Sequence, residues 1–480
     1  TAQASPEVPP PHGFTWGDAV YIPPGAPAAE GGIAGVAQAI LAAQGQGHAP
    51  ADASGAAPDG FAYVQQVTGF TYAQPVKPQD VAQTALPHAL ASRLKERRAR
   101  EGPHCKYPSS GDDFYPVELD GVVYDSFALR VVHERDRTGF EDSKEFPIKI
   151  NSIIAGRYQV IEYLGSAAFS RAVQCLDLQT NRMVCMKIIK NDKDFMDQSL
   201  DEIKLLRLIN ANAESMDEKH CLSLIDYMYH KEHLIIVTEL LRDNLYEFSK
   251  FNRENNHEPY FTLGRLQRIA KQVLVALEYI HGLWLIHADL KPENILIKSY
   301  SRCEVKVIDF GSSCFIDDAL TSYIQSRSYR APEVMLGLPY DQRIDVWSLG
   351  CILAELWTGY VLFQNDSVQS LLARILGIIG PFPQHMLSAG RFVPQYFTQE
   401  GHLYRDIEVP GSTMPPPHER RLILYFPKRS SLRQRMRTDD DTFVDFLRCL
   451  LEVDPALRSS AKQALQHPWL QSGRYSDGLQ

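Results

Sequence analysis

A short polar segment between two apolar stretches constrains this chain more than any other feature. Residues 287–296 read His-Ala-Asp-Leu-Lys-Pro-Glu-Asn-Ile-Leu, so a lysine and an asparagine follow Asp289 at two and five positions. Twenty positions after Asp289 stands Asp309-Phe310-Gly311, directly after the run 305–308, and Ala331-Pro332-Glu333 comes later. Any one of these motifs also fits an ordinary polar turn. Their order and spacing together favour a single catalytic site.

Each residue type in this set suits one task in phosphoryl transfer. Asp289 can accept the proton of an attacking hydroxyl, and Lys291 can neutralise the transferring phosphoryl group. Asn294 and Asp309 can ligate Mg²⁺ ions that bridge the phosphates of ATP. We therefore expect ATP and Mg²⁺ as the cofactors.

A lysine interrupts an apolar strand upstream of these motifs. Lys187 lies in the run 184–189, and such a residue is costly to bury unless it is paired. Fifteen positions later Glu202 lies on a predicted helix, and a Lys–Glu pair would hold the ammonium against the α- and β-phosphates. Asp201 is a rival partner, and a lysine whose head group reaches solvent is the plainer alternative.

A loop at residues 163–170 can cover the phosphates. It contains Gly165 and Ser166, but Ala167 and Ser170 occupy the places of the second and third glycines of a Gly-rich loop. Without those glycines the loop also fits a plain hairpin.

Hydrophobic periodicity divides the chain into two textures. The pattern from 156 to about 237 is strand-rich with one helix at 199–210, and beyond 241 it becomes helical, for example at 262–281 and 344–358. Upstream, residues 117–131 alternate as in strands. The sequence predicts an α+β fold, with a small antiparallel β-sheet lobe followed by a larger helical lobe.

Residues 1–112 are rich in Ala, Gly and Pro, which predicts a disordered N-terminal arm. Its residues 1–110 are a possible docking segment for a partner. The basic run 93–100 fits either a nuclear signal or a solvated helix. Residues 113–157 are expected to pack on the small lobe as an accessory segment.

Composition excludes several classes of function. The chain carries 49 basic and 58 acidic residues, a net charge of −9, which argues against a nucleic-acid binder. No apolar stretch has the length of a membrane span. The eight cysteines show no zinc spacing, so we expect reduced thiols in the cytoplasm or nucleus. We also expect a monomer, and the motifs around Asp289 suggest protein substrates.

The tract 323–333, Tyr-Ile-Gln-Ser-Arg-Ser-Tyr-Arg-Ala-Pro-Glu, resembles the activation segment of the dual-specificity tyrosine-regulated (DYRK) protein kinases, with a likeness to their plant-type branch. The tract 298–303 adds to it, and 137–141 resembles part of that family's accessory box. The resemblance implies a protein kinase domain at 158–470, divided at residue 240 into its two lobes. It also implies serine and threonine phosphorylation of proteins and tyrosine self-phosphorylation, with proline after the acceptor and arginine before it.

By position, the resemblance makes Tyr323 the self-phosphorylated residue. Arg327 and Arg330 follow it at four and seven positions and are the nearest candidates in sequence to bind the phosphate. Ala288 replaces the arginine that most protein kinases have beside the catalytic aspartate. Thr238 would be the gatekeeper. The resemblance also implies the residues of the adenine slot and its hinge: Leu164, Ala172, Cys185, Leu296, Glu239 and Leu241.

Four residues are expected to support the site. Asp345 opens a helix and can cap it or reach the catalytic loop. Glu333 and Arg458 would form the large-lobe ion pair of kinases, and His287 is interpreted as structural. Two other functions stay open: a pseudokinase scaffold, favoured by the altered Gly-rich loop, and a cyclin-dependent kinase.

Overall fold

The computed structural model describes residues 61–65, 117–120, 122–137, 143–255, 258–318, 323–408 and 420–472. The chain forms two compact units, Thr1–Pro75 with Pro394–Lys428, and Val76–Val393 with Arg429–Gln480. The predicted disordered arm, the docking segment and the basic run lie outside the described residues, except for a strand at Phe61–Gln65. Most of the accessory motif at 137–141 also lies outside them.

The larger unit contains most of the strands. They are β2 (Val117–Leu119), β3 (Val122–Tyr124), β4 (Arg130–Val132), β5 (Ile153–Ile154), β6 (Tyr158–Ser166), β7 (Ser170–Asp177), β8 (Arg182–Ile189), β9 (Leu224–His230), β10 (His233–Glu239), β11 (Leu285–Ile286), β12 (Ile295–Ser299), β13 (Glu304–Val307) and β14 (Cys314–Phe315). The smaller unit contains β1 (Phe61–Gln65), β15 (Tyr404–Glu408) and β16 (Arg420–Pro427).

The described helices begin after the first eight strands. They are α1 (Lys193–Ala211), α2 (Leu245–Glu254), α3 (Leu263–Gly282), α4 (Pro332–Leu336), α5 (Arg343–Thr358), α6 (Val368–Ile378), α7 (Gln384–Ala389), α8 (Val393–Tyr396), α9 (Leu432–Met436), α10 (Asp441–Leu450), α11 (Ala461–Ala464) and α12 (Pro468–Gln471). None of them is long and apolar enough to cross a bilayer, as far as the described residues extend.

A seven-stranded sheet with α1 forms the small lobe. Its strand order is β4-β9-β10-β8-β7-β6-β5, and neighbours are antiparallel except β4 and β9, which run parallel. Alternate side chains of the strands point to opposite faces, so Val173, Val184 and Met186 fill an apolar core on one face. The opposite face of the sheet, the cleft face, carries Ala172, Cys185 and Lys187.

Within the larger unit, the helices from α2 onward, with β11–β14, form the large lobe. Helix α3 begins at the Thr262 cap, whose side chain accepts from Arg265 N–H, and α5 ends at Gly359, where φ is +77°. Helix α5 is buried along most of its length because it packs against α3 on one side and α10 on another. The small sheet and helical lobe confirm the predicted two-lobed α+β fold.

The predicted accessory segment divides into two parts. Phe146 enters the core of the small lobe, Arg130 pairs with Asp226 at 2.5 Å, and β4 joins the sheet edge beside β9. The alternation upstream predicted packed strands, but the β2–β3 hairpin keeps its apolar residues exposed. Their exposed fractions run from 51% to 66% at Leu119, Val122, Val123 and Tyr124. Alternation alone therefore predicted the strands here and not their burial.

The smaller unit contains a three-stranded sheet in the order β1-β16-β15. Both pairings are antiparallel, and Phe61 is opposite Pro427 while Tyr404 is opposite Leu424. Strand β1 lies within the predicted N-terminal arm, and the other residues of that arm lie outside the described part of the chain.

Candidate active site

The cleft face of the small lobe carries a buried ion pair. Lys187 Nζ lies 2.8 Å and 2.9 Å from the two oxygens of Glu202, and 4.0 Å from Asp309 Oδ1. Burial alone would lower the pKa of Lys187, but the Glu202 and Asp309 carboxylates outweigh burial and raise that pKa, so the ammonium keeps its charge. The predicted pair is confirmed. The rival partner Asp201 pairs with Lys204 instead, at 2.6 Å.

Strand register gathers the predicted adenine-slot residues on the same face. Ala172 lies opposite Lys187, and Cys185 lies opposite Thr238, so their side chains share one side of the sheet. Burial raises the pKa of the Cys185 thiol to about 11, which keeps it neutral and suited to an apolar wall. Leu164 is 44% exposed at the end of β6, near Gly165 and Ser166.

The hinge follows β10. Glu239 ends that strand, and Leu241 comes two positions later in the segment that leads to α2. An isolated bridge joins Asn244 to Leu296 of β12, which brings the large-lobe residue of the predicted slot to the hinge segment. The hinge residues and Leu296, which belong to the predicted adenine site, therefore come together where the chain passes from one lobe to the other.

Asp289 is the centre of a compact group of polar side chains. Its Oδ2 accepts from Lys291 Nζ at 2.6 Å, and its Oδ1 accepts from the hydroxyl of Ser326 at 2.8 Å. The amide nitrogen of Asn294 donates to the backbone oxygen of Asp289 at 2.9 Å. The three residues predicted from sequence spacing are thus brought together, and Ser326 joins them from a distant segment.

A buried carboxylate holds the backbone of the catalytic loop, residues 287–296, in place. Asp345 is fully buried, and its oxygens accept from the backbone N–H groups of His287 at 2.8 Å and Ala288 at 3.0 Å. Asp345 was expected either to cap its own helix or to reach the catalytic loop, and the structure shows that it reaches the loop. His287 is also buried, with its ring centroid 5.4 Å from that of Phe310, which fits its structural interpretation.

The donor set fits Mg²⁺. The Asn294 NH₂ group donates to Asp289, so its amide oxygen remains available as a metal ligand, and Asp309 supplies a carboxylate. Among the described residues no three His, Cys, Asp or Glu side chains form a ready-made metal cage. Mg²⁺ commonly takes one or two protein ligands together with substrate phosphates, so this arrangement is suited to it.

The altered Gly-rich loop forms a closed hairpin. Ala167 N–H donates to the Ser170 backbone oxygen at 2.8 Å, and Ser170 is buried as the first residue of β7. At its tip Phe169 lies over Lys187, with Nζ 5.1 Å from the ring centroid. The segment is therefore a hairpin, as the plainer interpretation predicted, and its tip lies beside Lys187, as a loop that covers phosphates requires.

The activation segment is held by a buried neutral side chain that the sequence did not reveal. The amide nitrogen of Gln325 donates to Ser348 Oγ at 2.8 Å and to Ile344 O at 3.0 Å. Its amide oxygen accepts from Ala331 N–H at 2.9 Å, and its own N–H donates to Ala288 O at 2.9 Å. A glutamine in a polar tract gives no signal of burial, which is why sequence reasoning missed it.

The predicted regulatory residues lie in different places. Tyr323 is 88% exposed, and the Arg330 guanidinium carbon lies 5.7 Å from its ring centroid. Arg330 also donates to the backbone oxygens of Ile324 and Gln325, each at 2.8 Å. Arg327 instead donates to Asp366 O at 3.3 Å. The structure thus brings Arg330 to the tyrosine and directs Arg327 to α6.

The expected ion pair of the large lobe is present. Arg458 donates to Glu333 at 2.6 Å and 2.9 Å, and neither side chain is exposed. This bidentate contact joins α4, just after the activation segment, to the chain before α11.

Sequence reasoning also missed a pair of carboxylates beside the catalytic loop. One oxygen of Glu293 is buried without a hydrogen-bond partner among the described residues. Burial raises the pKa of Glu355, the negative charge of Glu293 adds to that rise, and the Tyr329 hydroxyl and Arg253 oppose it. The two acidic side chains therefore lie close enough to influence each other's charge.

The comparisons with known proteins agree with this geometry. Residues 158–470 match the protein kinase domain family. Dual specificity tyrosine-phosphorylation-regulated kinase 4 of Homo sapiens is 38% identical over 339 residues, covering 70% of this chain and 62% of the relative. Kinase 2 of that name from Drosophila melanogaster is 37% identical over 332 residues, covering 69% and 44%. Serine/threonine-protein kinase ppk15 of Schizosaccharomyces pombe is 34% identical over 363 residues, covering 70% and 67%.

The chain thus spans 62% of the human relative and 44% of the fly relative. The family match covers more than half of the chain and contains the whole group of polar side chains around Asp289. This chain belongs to the protein kinase family and, within it, to the DYRK kinases.

Proposed function

We propose that this chain transfers the γ-phosphate of ATP, with Mg²⁺, to serine and threonine hydroxyls of protein substrates. The observation that carries the proposal is the contact of Asp289 with the Ser326 hydroxyl at 2.8 Å, beside Lys291 at 2.6 Å. A carboxylate that already accepts a hydrogen bond from a hydroxyl group is placed to orient a substrate hydroxyl. Lys291 then lies where negative charge of the transferring phosphoryl group needs neutralising.

Magnesium-bound ATP would be held by residues from both lobes. Lys187 would bind the α- and β-phosphates, Asp309 and Asn294 would ligate the metal, and the hinge would bind adenine. The metal supplies neutralisation of the charge on the β- and γ-phosphates. The chain's own residues orient the hydroxyl, accept its proton at Asp289 and, through Gln325, anchor the activation segment.

A preference for proline after the acceptor follows from the Gln325 backbone. Its φ is +62°, and its carbonyl oxygen accepts from Arg330, so that oxygen is turned away from a bound peptide. A substrate residue with an N–H at this point would lose its hydrogen bond. An unsatisfied donor costs about 1–3 kcal/mol, or about five- to 150-fold in kcat/KM, and proline has no N–H to leave unpaired.

A preference for arginine before the acceptor follows from Glu293 and Glu355. One Glu293 oxygen has no hydrogen-bond partner among the described residues, so a substrate guanidinium would supply the partner that this carboxylate lacks. We also propose tyrosine self-phosphorylation at Tyr323 and a likeness to the plant-type branch. The remaining proposals are a cytoplasmic or nuclear location, a monomer, and a docking partner for residues 1–110.

The test is a kinase assay on the purified chain with Mg²⁺, ATP and a peptide library. We expect phosphate transfer to peptides with arginine before and proline after the acceptor. Replacing that proline by alanine should lower kcat/KM, and Glu293→Gln should reduce the advantage of arginine peptides over arginine-free peptides. Nucleotide binding without any transfer would instead support the scaffold alternative.

A further inference from the structure

Lys306 is a buried cation in β13, three positions before Asp309. Only 1% of it is exposed, and its Nζ lies 2.5 Å from Glu239 Oε1 and 2.6 Å from Asp217 Oδ1. Asp217 also pairs with Lys298 at 2.6 Å. We call these four side chains the hinge network. An ammonium so deeply buried is stable only where carboxylates replace its water.

The network fixes Glu239, the residue at which β10 meets the hinge. One oxygen of its carboxylate accepts from Ser223 N–H at 2.8 Å as well as from Lys306, and its own N–H donates to Ser223 O at 3.1 Å. The side chain and the backbone N–H of Glu239 are therefore both hydrogen-bonded within the protein. Its backbone carbonyl accepts a long bond from the Thr238 hydroxyl, at 3.3 Å, and within the described part of the chain a second lone pair is left for a ligand.

Strand register places Lys306 next to Leu296, a residue of the predicted adenine slot. Lys306 lies directly opposite Leu296 in the β12–β13 pair, so the two side chains leave the same face of that ribbon. Leu296 forms the large-lobe side of the slot, and Lys306 extends past it to Glu239. One buried lysine thus connects the floor of the slot to the residue that presents a carbonyl to adenine.

We propose that Lys306 is a positioning residue for the adenine ring, because it holds Glu239 and so fixes the hinge carbonyl. The inference rests on the proposed function, in which adenine binds at this hinge. A purely structural lysine would affect the stability of the chain alone. A positioning lysine affects the affinity for the nucleoside while the chain stays folded.

The test compares Lys306→Met with Lys298→Met. Lys298→Met removes the outer cation of the same network and leaves the Lys306–Glu239 contact in place, so it is the matched control. Adenosine is the probe, because it contacts the hinge and has no phosphates to bind Lys187 or metal. We expect Lys306→Met to weaken adenosine binding and raise the KM for ATP by about five- to tenfold, the effect of one poorly placed hydrogen bond.

The same variant should keep kcat within about twofold of the parent at saturating ATP, because Asp289 and Lys291 are untouched. Lys306→Arg should restore most of the adenosine affinity, since a guanidinium can still reach Glu239. Lys298→Met should bind adenosine as the parent does. A folded Lys306→Met chain with the parent's adenosine affinity, or with a reduced kcat and an unchanged KM, would overturn the inference.

Lys306→Met leaves Glu239 and Asp217 without their buried cation, so a second variant guards against misfolding. The double variant Lys306→Met/Glu239→Gln removes both charges of the inner contact, and it too should bind adenosine more weakly than the parent. Parent-like affinity in the double variant would overturn the inference. A parent chain that binds neither adenosine nor MgATP would overturn the proposed function and this inference with it.

Discussion

The hydroxyl of Ser326 donates a 2.8 Å hydrogen bond to the Asp289 carboxylate, although 37 positions separate the two residues. The Ser326 N–H donates to the same oxygen at 3.1 Å. The activation segment therefore fixes the orientation of the carboxylate on one side, while Lys291 fixes it on the other. Asp289 is held ready before any substrate arrives, which is the arrangement that rapid proton acceptance requires.

Replacing Asp289 should separate binding from chemistry. We expect Asp289→Asn to lower kcat by about 10²–10⁴-fold while leaving ATP affinity nearly intact, because Asp289 contacts the hydroxyl and not the nucleotide. Asp309→Asn is the contrasting variant and should also lose Mg²⁺-dependent nucleotide binding. Steady-state kinetics and calorimetry measure the two effects. Unchanged turnover in Asp289→Asn would exclude the proposed mechanism.

Restoring glycines to the phosphate loop should strengthen ATP binding. If Ala167 and Ser170 hold the backbone away from the phosphates, Ala167→Gly/Ser170→Gly should lower the KM for ATP or raise kcat. Ser170 is buried in β7, so the double variant should also lose stability, by about 0.5–1 kcal/mol per glycine. Ala167→Gly alone is the control for that loss. Kinetics equal to the parent's would mean that the hairpin already closes well over ATP.

Tyr323 should be phosphorylated by the chain itself. It is 88% exposed, and Arg330 lies beside its ring, so a phosphate carrying roughly −1.5 to −2 charges would find a guanidinium nearby. We expect phosphotyrosine at Tyr323 after expression in a host without tyrosine kinases, as mapped by mass spectrometry. Tyr323→Phe should lower activity or stability and keep ATP binding. Phosphate at Tyr323 in an Asp289→Asn chain would assign the modification to another kinase.

The small lobe should lose stability in acid through Asp177. This fully buried carboxylate accepts from Arg157 at 2.7 Å and 2.8 Å, and this contact, with help from Thr180 and Gln179, holds the pKa of Asp177 well below its usual value. A depressed pKa in the folded state contributes stability above the unfolded pKa of about 3.9, and that stability is lost as pH falls below it.

Asp177→Asn tests this pH dependence. At pH 7 the variant should have a free energy of unfolding lower by about 3–5 kcal/mol, because Arg157 loses its buried partner. Urea titrations between pH 7 and pH 3 should show the difference shrinking as the parent carboxylate takes up a proton on unfolding. A difference that stays constant down to pH 3 would contradict the assignment.

The contacts that could be predicted from the sequence are those between residues that lie close together along the chain. The Lys187–Glu202 pair followed from one strand and the next helix, and the residues around Asp289 followed from a single loop. Gln325 and Lys306 were missed because their partners belong to elements that only the fold brings near. The exposed β2–β3 hairpin shows the opposite error, since an alternating pattern does not say what covers a strand.

The Glu333–Arg458 ion pair also sets an order for folding during synthesis. The two residues are 125 positions apart. At a synthesis rate of about 5–20 residues per second, Arg458 emerges roughly 6–25 s after Glu333. A carboxylate cannot be buried cheaply without its partner, so the core around α4 has to wait for the last helices. The last strand of the small-lobe sheet ends at Glu239, so we expect this sheet to form before the core of the large lobe does.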